Sequence, residues 1–307
     1  MRSRTIVDKG RREKVIVVLL VWLALMSACS RRAALPSRAI ETHEVTDDLG
    51  RQISLPQHVT RAISLAPSIT ESIFAAGAGD RLVGVTTYCN YPAETASIEK
   101  VGDTLNPNIE RIIALKPDLV FLSTASQLEA FTQTLAEQKI AVYVSNAVSL
   151  DGAVAGVRKY GEIFETIAKA NATAAEMERR SNALNDRLKD QAKVRVFVQI
   201  SKEPLFTIGK ASFLTETIEH AGGISITKDV ESAYPKLSKE TALALNPDAI
   251  IMSDSEDNRE PNEVFKNSSA VKNGRVYKIN ADIISRPGPR LVDAIEQIAG
   301  FLHGEKN

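Results

Sequence analysis

Histidines, cysteines and closely spaced acid–base pairs are the side chains through which a chain of this size could act on a substrate. Their spacing here excludes most options. His43, His58, His220 and His303 form no H-x-x-x-H pair and no H-E-x-x-H motif, and Cys29 and Cys89 form no C-x-x-C. The spacings that hold a zinc ion are therefore missing, and no metal centre is expected. There is no G-x-S-x-G elbow and no P-loop. Gly77-Ala-Gly79 lacks the third glycine of a dinucleotide fingerprint and leads into a strand rather than a helix. His220 lies in a helical pattern and reads as a capped or solvated residue, not as a general base. No catalytic residues, and no cofactor of the protein's own, are expected.

The elements that would carry any site follow a clear alternation. Residues 61–65 read as a strand, 68–77 as a helix opened by a Ser-x-x-Glu capping box (Ser68, Glu71), and 82–86 as a strand. Residues 108–115 are helical and stop before Pro117; 118–122 form a buried strand, followed by a helix near 127–138 and a strand at 140–144. Such βα alternation makes a mostly parallel sheet covered by helices. Residues 150–192 break the pattern. They hold no proline and, after Gly161, no glycine, and Val154, Val157, Tyr160, Phe164, Ile167 and Ala168 recur at helical spacing. One helix of this length would run about 60 Å at 1.5 Å per residue; the alternative is two shorter helices broken near Asn171. Residues 193–307 resume the alternation and echo the first half. Glu110-Arg-Ile-Ile-Ala-Leu-Lys-Pro-Asp-Leu-Val-Phe-Leu-Ser123 aligns with Glu240-Thr-Ala-Leu-Ala-Leu-Asn-Pro-Asp-Ala-Ile-Ile-Met-Ser253, and Thr70-Glu-Ser-Ile-Phe-Ala-Ala-Gly77 with Thr215-Glu-Thr-Ile-Glu-His-Ala-Gly222. Two echoes in the same order indicate two related α/β lobes. A long helix between them leaves a cleft, a preferred place for a small-molecule site.

The first residues belong to targeting rather than to the fold. Arg2, Arg4, Lys9, Arg11, Arg12 and Lys14 precede an apolar run over residues 15–26, too short for a comfortable membrane span. The Met-Ser-Ala-Cys29 ending resembles a bacterial lipobox, which implies lipidation at Cys29; ordinary cleavage nearby or an uncleaved anchor are the alternatives. Residues 30–45 then read as a tether. Removal of residues 1–29 takes six of the 38 basic and two of the 38 acidic side chains and leaves a net charge of about −4. No basic stripe interleaved with aromatics is present, so no nucleic-acid partner is expected. Cys89 is then the single unmodified thiol, so a monomer forms no disulfide. Trp22, the single tryptophan, lies in the signal segment.

Several segments, in order from about residue 60 to the end, resemble the periplasmic cobalamin-binding proteins of ABC importers, in the helical-backbone metal-receptor superfamily. They are Arg61-Ala-Ile-Ser-Leu-Ala-Pro-Ser-Ile-Thr-Glu71, Tyr88-Cys-Asn-Tyr-Pro92, Ile109-Glu-Arg-Ile-Ile-Ala-Leu-Lys-Pro-Asp-Leu-Val120, Pro204-Leu-Phe-Thr-Ile-Gly-Lys210 and Arg286-Pro-Gly-Pro-Arg290. The resemblance implies two α/β lobes (residues 46–149 and 193–307) bridged by one long helix (150–192), with the ligand between them. It implies a monomeric, non-enzymatic, lipid-anchored receptor on the outer face of a cell membrane. Its partners would be a permease dimer with its ATPase subunits, and its cargo a metal chelate: cobalamin or another corrinoid, or else a ferric siderophore or haem. Glu71 and Glu240 match the pair with which the family docks on the permease. Acidic knobs on both lobes would orient and steer that encounter. Tyr88, Phe206, Tyr234, Asp282 and Arg286 match cleft positions, where aromatic walls and a few polar groups suit a broad ring carrying amides. The chain departs from the pattern where first-lobe tryptophans are usual: those positions fall near Leu105 and Ser123–Thr124. Cys89, beside Tyr88, is expected to be a small buried filler.

Overall fold

Short apolar runs separated by helical stretches fold into two parallel four-stranded sheets, as their alternation requires. The computed structural model describes residues 41–124 and 128–304. A hairpin of β1 (Thr42–Thr46) and β2 (Gln52–Pro56) comes first. The first lobe then runs β3 (Ala62–Ser64), α1 (Pro67–Ala75), β4 (Leu82–Val85), α2 (Ile109–Ala114), β5 (Leu119–Ser123), α3 (Leu128–Glu137) and β6 (Ala141–Ser145). Two helices follow, α4 (Leu150–Ile163) and α5 (Ile167–Leu188). The second lobe comprises β7 (Val194–Gln199), α6 (Phe213–His220), β8 (Gly223–Ser225), α7 (Lys239–Leu245), β9 (Ala249–Asp254), α8 (Ser269–Lys272), β10 (Val276–Asn280), α9 (Ala281–Ile284) and α10 (Leu291–His303).

The sheets run β4-β3-β5-β6 and β8-β7-β9-β10, all pairs parallel. Each lobe thus winds in the same order, and the sequence echoes fall on equivalent elements: the α1 helix with α6, and the α2–β5 unit with α7–β9. The winding is what two copies of one unit would give. In each lobe the middle strands are buried on both faces, so β5 reads Leu119-Val-Phe-Leu122 without polar interruption.

The segment between the lobes differs from a single forty-residue helix. It breaks over residues 164–166, where Glu165 takes φ of 60°; the break is not at Asn171. α4 and α5 fold back on each other as an antiparallel pair, clasped by Arg158 donating to both oxygens of Glu178 at 2.8 Å. The cause is the division of the apolar face. Tyr160 and Phe164 are spent on the first lobe, edge-on and tilted against Phe121 with centroids 5.1 and 5.8 Å away. Gly161 is the residue that lets the backbones close: a Cβ there would lie 2.2 Å from that of Ala170. Gly161→Ala is expected to cost about 1–3 kcal/mol by overpacking, seen as a lower urea midpoint with an unchanged slope. An unchanged midpoint would mean that the pair simply slides apart.

The bridge is therefore α5 alone, about 33 Å long at 1.5 Å per residue. At one end Thr173 donates to the Ala75 carbonyl of the first lobe at 2.9 Å. Further along, Arg180 donates to Asp293 and Glu296 on α10 at 2.5–3.0 Å. Those bonds hold the Glu296 carboxyl below its ordinary range.

The tether is also shorter than its sequence suggests, because β1 already begins at Thr42. The signal segment with Cys29, and the tether up to residue 40, lie outside the described residues. The hairpin covers the β6 edge of the first sheet, which would otherwise expose unpaired backbone. Asp47 accepts from the Leu49 and Arg51 amides and the Arg51 Nε at 2.8–3.0 Å. Asp48 accepts from the Tyr143 hydroxyl at 2.7 Å. Burial, and then that carboxylate, push the Tyr143 phenol far above its usual range. Among the described residues, no helix is long and apolar enough to cross a membrane.

Candidate functional site

The loops at the C-terminal ends of parallel strands are where open α/β sheets place their ligands, and both lobes turn such loops toward one cleft. From the first lobe come Pro67 and Ser68 at the start of α1, Tyr88 after β4, Thr124 after β5 and Val148 after β6. From the second come Phe213 at the start of α6, Tyr234, and Asp282, Ser285 and Arg286 after β10. They enclose about 500 Å³, within the range of small-molecule pockets. Tyr88 and Tyr234 are 60% and 45% exposed, and Val148 is 59% exposed. Large apolar side chains left open around one cavity are the signature of a binding surface rather than of ordinary surface scatter.

Asp282 and Arg286 in the cleft floor belong to an ion cluster that joins the lobes. Glu71, on the second turn of α1, is 3% exposed. Its Oε1 accepts from Arg286 Nη1 at 2.9 Å and Arg290 Nη2 at 2.6 Å, and its Oε2 from Arg290 Nε at 2.8 Å. Arg286 also donates to Asp282 at 2.6 Å, to the Asn90 carbonyl oxygen at 2.8 Å and to the Tyr88 backbone carbonyl at 3.2 Å. Asn90 closes the ring by donating to Asp282 at 2.8 Å. Arg290 lies over the Tyr91 ring, 4.2 Å from its centroid, a favourable cation–π contact. Burial works against the Arg290 charge, but the Glu71 carboxylate outweighs it, and the guanidinium pKa is raised. Two carboxylates and two guanidiniums cancel. Asp282 and Arg286 thus present the cleft with paired charge, and its walls are otherwise aromatic, aliphatic and hydroxyl.

The structure brings together Tyr88, Tyr234, Asp282 and Arg286 at one cavity. Phe206 is not part of this lining. It sits in short bridges to Ser201 and Lys236, and Phe213 supplies the second-lobe aromatic instead. Glu71 is not an exposed docking knob and does not cap its helix: α1 starts with Ala66 at the N-cap and Pro67 inside it, which turns Glu71 inward to the arginines. Glu240 is exposed in the first turn of α7, its pKa lowered by its own backbone N–H and the Ser238 hydroxyl. Asn90 and Arg290, given no role by the sequence reading, belong to this network and stand inside the segments Tyr88–Pro92 and Arg286–Arg290 that carry the family resemblance. Cys89 is buried away from the cavity, 3.2 Å from the Thr70 and 3.1 Å from the Thr86 hydroxyl oxygens. The histidines are dispersed, His58 on Glu165, His220 beside Glu216 and His303 on the Gly222 carbonyl. Among the described residues no three acidic, histidine or cysteine side chains cluster to hold a metal.

Comparison with known proteins agrees with this geometry. A profile of periplasmic binding proteins matches residues 63–283. An ABC transporter substrate-binding lipoprotein of Bacillus subtilis, YvrC, is 30% identical over 95% of this chain and 98% of its own length. The vitamin B12-binding protein of Vibrio cholerae is 31% identical over 81% of this chain and 91% of its own. The crystal structure of the Vibrio cholerae vitamin B12-binding protein superposes with a TM-score of 0.70 at 30% identity, covering 80% of this chain and 96% of that one. A periplasmic heme-binding protein of Pseudomonas aeruginosa reaches a TM-score of 0.73 at 20% identity, covering 81% and 94%, a likeness of fold alone.

Proposed function

Because the chain belongs to the periplasmic binding protein family, we propose that it captures a corrinoid of the cobalamin type for an ABC importer and catalyses nothing itself. The observation that carries this reading is the pair of open tyrosines, Tyr88 and Tyr234, facing one cavity from different lobes above a charge-neutral floor. A broad ring with uncharged amide arms needs apolar walls and hydrogen-bonding groups, not a net charge. A multiply anionic siderophore complex would want uncommitted arginines, and Arg286 and Arg290 are both committed to Glu71. The chain would be held at the outer face of the membrane by lipid on Cys29 and a short tether ending at the hairpin, as a monomer that meets the permease only to deliver.

We infer a different docking pair from the one the resemblance implied. The internal echo pairs Glu240 with Glu110, and both occupy the first turn of equivalent helices, exposed on the α7 and α2 helices. Glu110 and Glu240, not Glu71, are the acidic pair that would meet basic residues of the permease.

Calorimetric titration of the soluble chain with cobalamin, haem and a panel of ferric siderophores tests the cargo. The expected result is one-to-one binding of cobalamin, weakened about tenfold or more by Tyr88→Ala and by Tyr234→Ala, each tenfold corresponding to about 1.4 kcal/mol. Tight binding of haem or a siderophore with none of cobalamin would keep the importer and discard the corrinoid.

A further inference from the structure

Behind the first-lobe wall of the cleft lies a second, much smaller cavity of about 30 Å³. It shares Ser68, Ser123, Thr124, Ala147 and Pro287 with the main cleft, so the two adjoin. By volume it takes about two or three water-sized groups, enough for the head of one short polar arm. Its lining is hydroxyl-rich, and the bonding of four of these hydroxyls fixes what it can accept. Ser72 donates to the Ser68 carbonyl at 2.8 Å and Thr124 to Asn146 Oδ1 at 2.8 Å. Ser145 donates to the Asp48 carboxylate at 3.2 Å, and Tyr160 donates in turn to Ser145 at 3.0 Å. Carbonyl and carboxylate oxygens can only accept, so these proton directions are forced. All four of these protons are committed to the protein, so at Ser72, Thr124, Ser145 and Tyr160 only lone pairs remain for a guest. The Asp48 charge stands directly behind Ser145. On the opposite side, Ser68 and Ile69 open α1, whose N-cap residue, Ala66, offers no side-chain acceptor to the first backbone N–H groups.

We propose that this pocket reads one primary amide arm of the cargo and rejects the corresponding carboxylate. An amide nitrogen donates to the lone pairs of Thr124 and Tyr160 while its oxygen accepts from the start of α1. One oxygen of a carboxylate could accept from the start of α1 as the amide oxygen does, but the other has no proton to give and would face the lone pairs of Thr124 and Tyr160, with the Asp48 charge behind Ser145, unpaired. This deepens the corrinoid reading and rests on it for the cargo: the pocket distinguishes a fully amidated corrinoid from an acid-bearing precursor or breakdown product.

Two experiments separate the pocket from the cargo. Crystals of the soluble chain are soaked in acetamide and, separately, in acetate at equal concentration. Acetamide seated with its nitrogen toward Thr124 and Tyr160, with acetate absent, supports the proposal whatever the cargo proves to be. Acetate seated there, or only water after both soaks, overturns it. The second experiment is calorimetry with cobalamin and each of its monocarboxylic acids. One acid is expected to bind at least about tenfold more weakly, and the others to bind like the parent. Thr124→Val and Ser72→Ala should each shrink that difference with no more than the small fall in melting temperature that one lost hydrogen bond brings. Equal binding by all the acids overturns the pocket's role and leaves the corrinoid reading intact. No binding of cobalamin at all removes the corrinoid reading, while the soaks still decide the pocket.

Discussion

Replacing Glu71 by alanine is expected to lower stability by about 3–5 kcal/mol, because it leaves the largely buried Arg290 guanidinium without a carboxylate and Arg286 with Asp282 alone. In a chain of this size that is roughly a 10 °C fall in melting temperature, at about 2–4 °C per kcal/mol. The size follows from burial. Glu71 is 3% exposed and receives three charge-assisted bonds from Arg286 and Arg290, whereas a surface pair of the same lengths would be worth at most about 1 kcal/mol. Scanning calorimetry on Glu71→Ala, with Glu110→Ala as the exposed control, measures it. A further variant tells the two halves of the argument apart. Glu71→Leu combined with Arg286→Met and Arg290→Met removes the three buried charges together, leaving the part-exposed Asp282 to solvent, and should recover most of the loss, since a neutral packed replacement of a buried cluster is often tolerated. If Glu71→Ala melts with the parent, the cluster is solvated and the buried-charge account is wrong. The single variant should also leave the cleft floor positive, so anionic ligands should gain affinity relative to neutral ones.

Charge reversal at Glu110 and Glu240 is expected to have the larger effect on delivery. In proteoliposomes carrying the cognate permease and its ATPase, Glu110→Lys or Glu240→Lys should each cut uptake about tenfold or more, and the double variant should abolish it. Cargo affinity should stay within about twofold of the parent, because neither residue lines the cleft. Exposed charges of this kind act on encounter and its salt dependence more than on lifetime, so the single variants should lose most at low salt. Full uptake by the double variant would remove this docking pair. Full uptake by both singles with loss only in the double would mean that either lobe suffices.

The sequence by itself determined the layers of this protein. Alternating βα grammar demanded parallel sheets, and the paired echoes at 70–77 with 215–222 and 110–123 with 240–253 demanded two lobes of like winding; the strand orders agree. Tyr88 and Arg286 stand inside the segments that carry the family resemblance, and Tyr234 and Asp282 at positions it implies; the four line one cleft. Tertiary structure decided what periodicity cannot carry. A helical repeat continues smoothly across residues 150–188 whether the chain runs straight or doubles back; only the competition of Tyr160 and Phe164 for the first-lobe core, with Gly161 packed on Ala170, turns it at Glu165. The β1–β2 hairpin was hidden because its stability comes from Asp47 and Asp48 reaching the β6 edge, nearly a hundred residues away in sequence. Glu71 shows the limit most sharply. Beside Ser68 it has the spacing of a helix cap, and nothing local reveals that arginines 215 and 219 residues further on will enclose it. A side chain's charge is a property of the sequence; whether that charge meets water, a permease or a buried partner is settled by which distant segments pack against it.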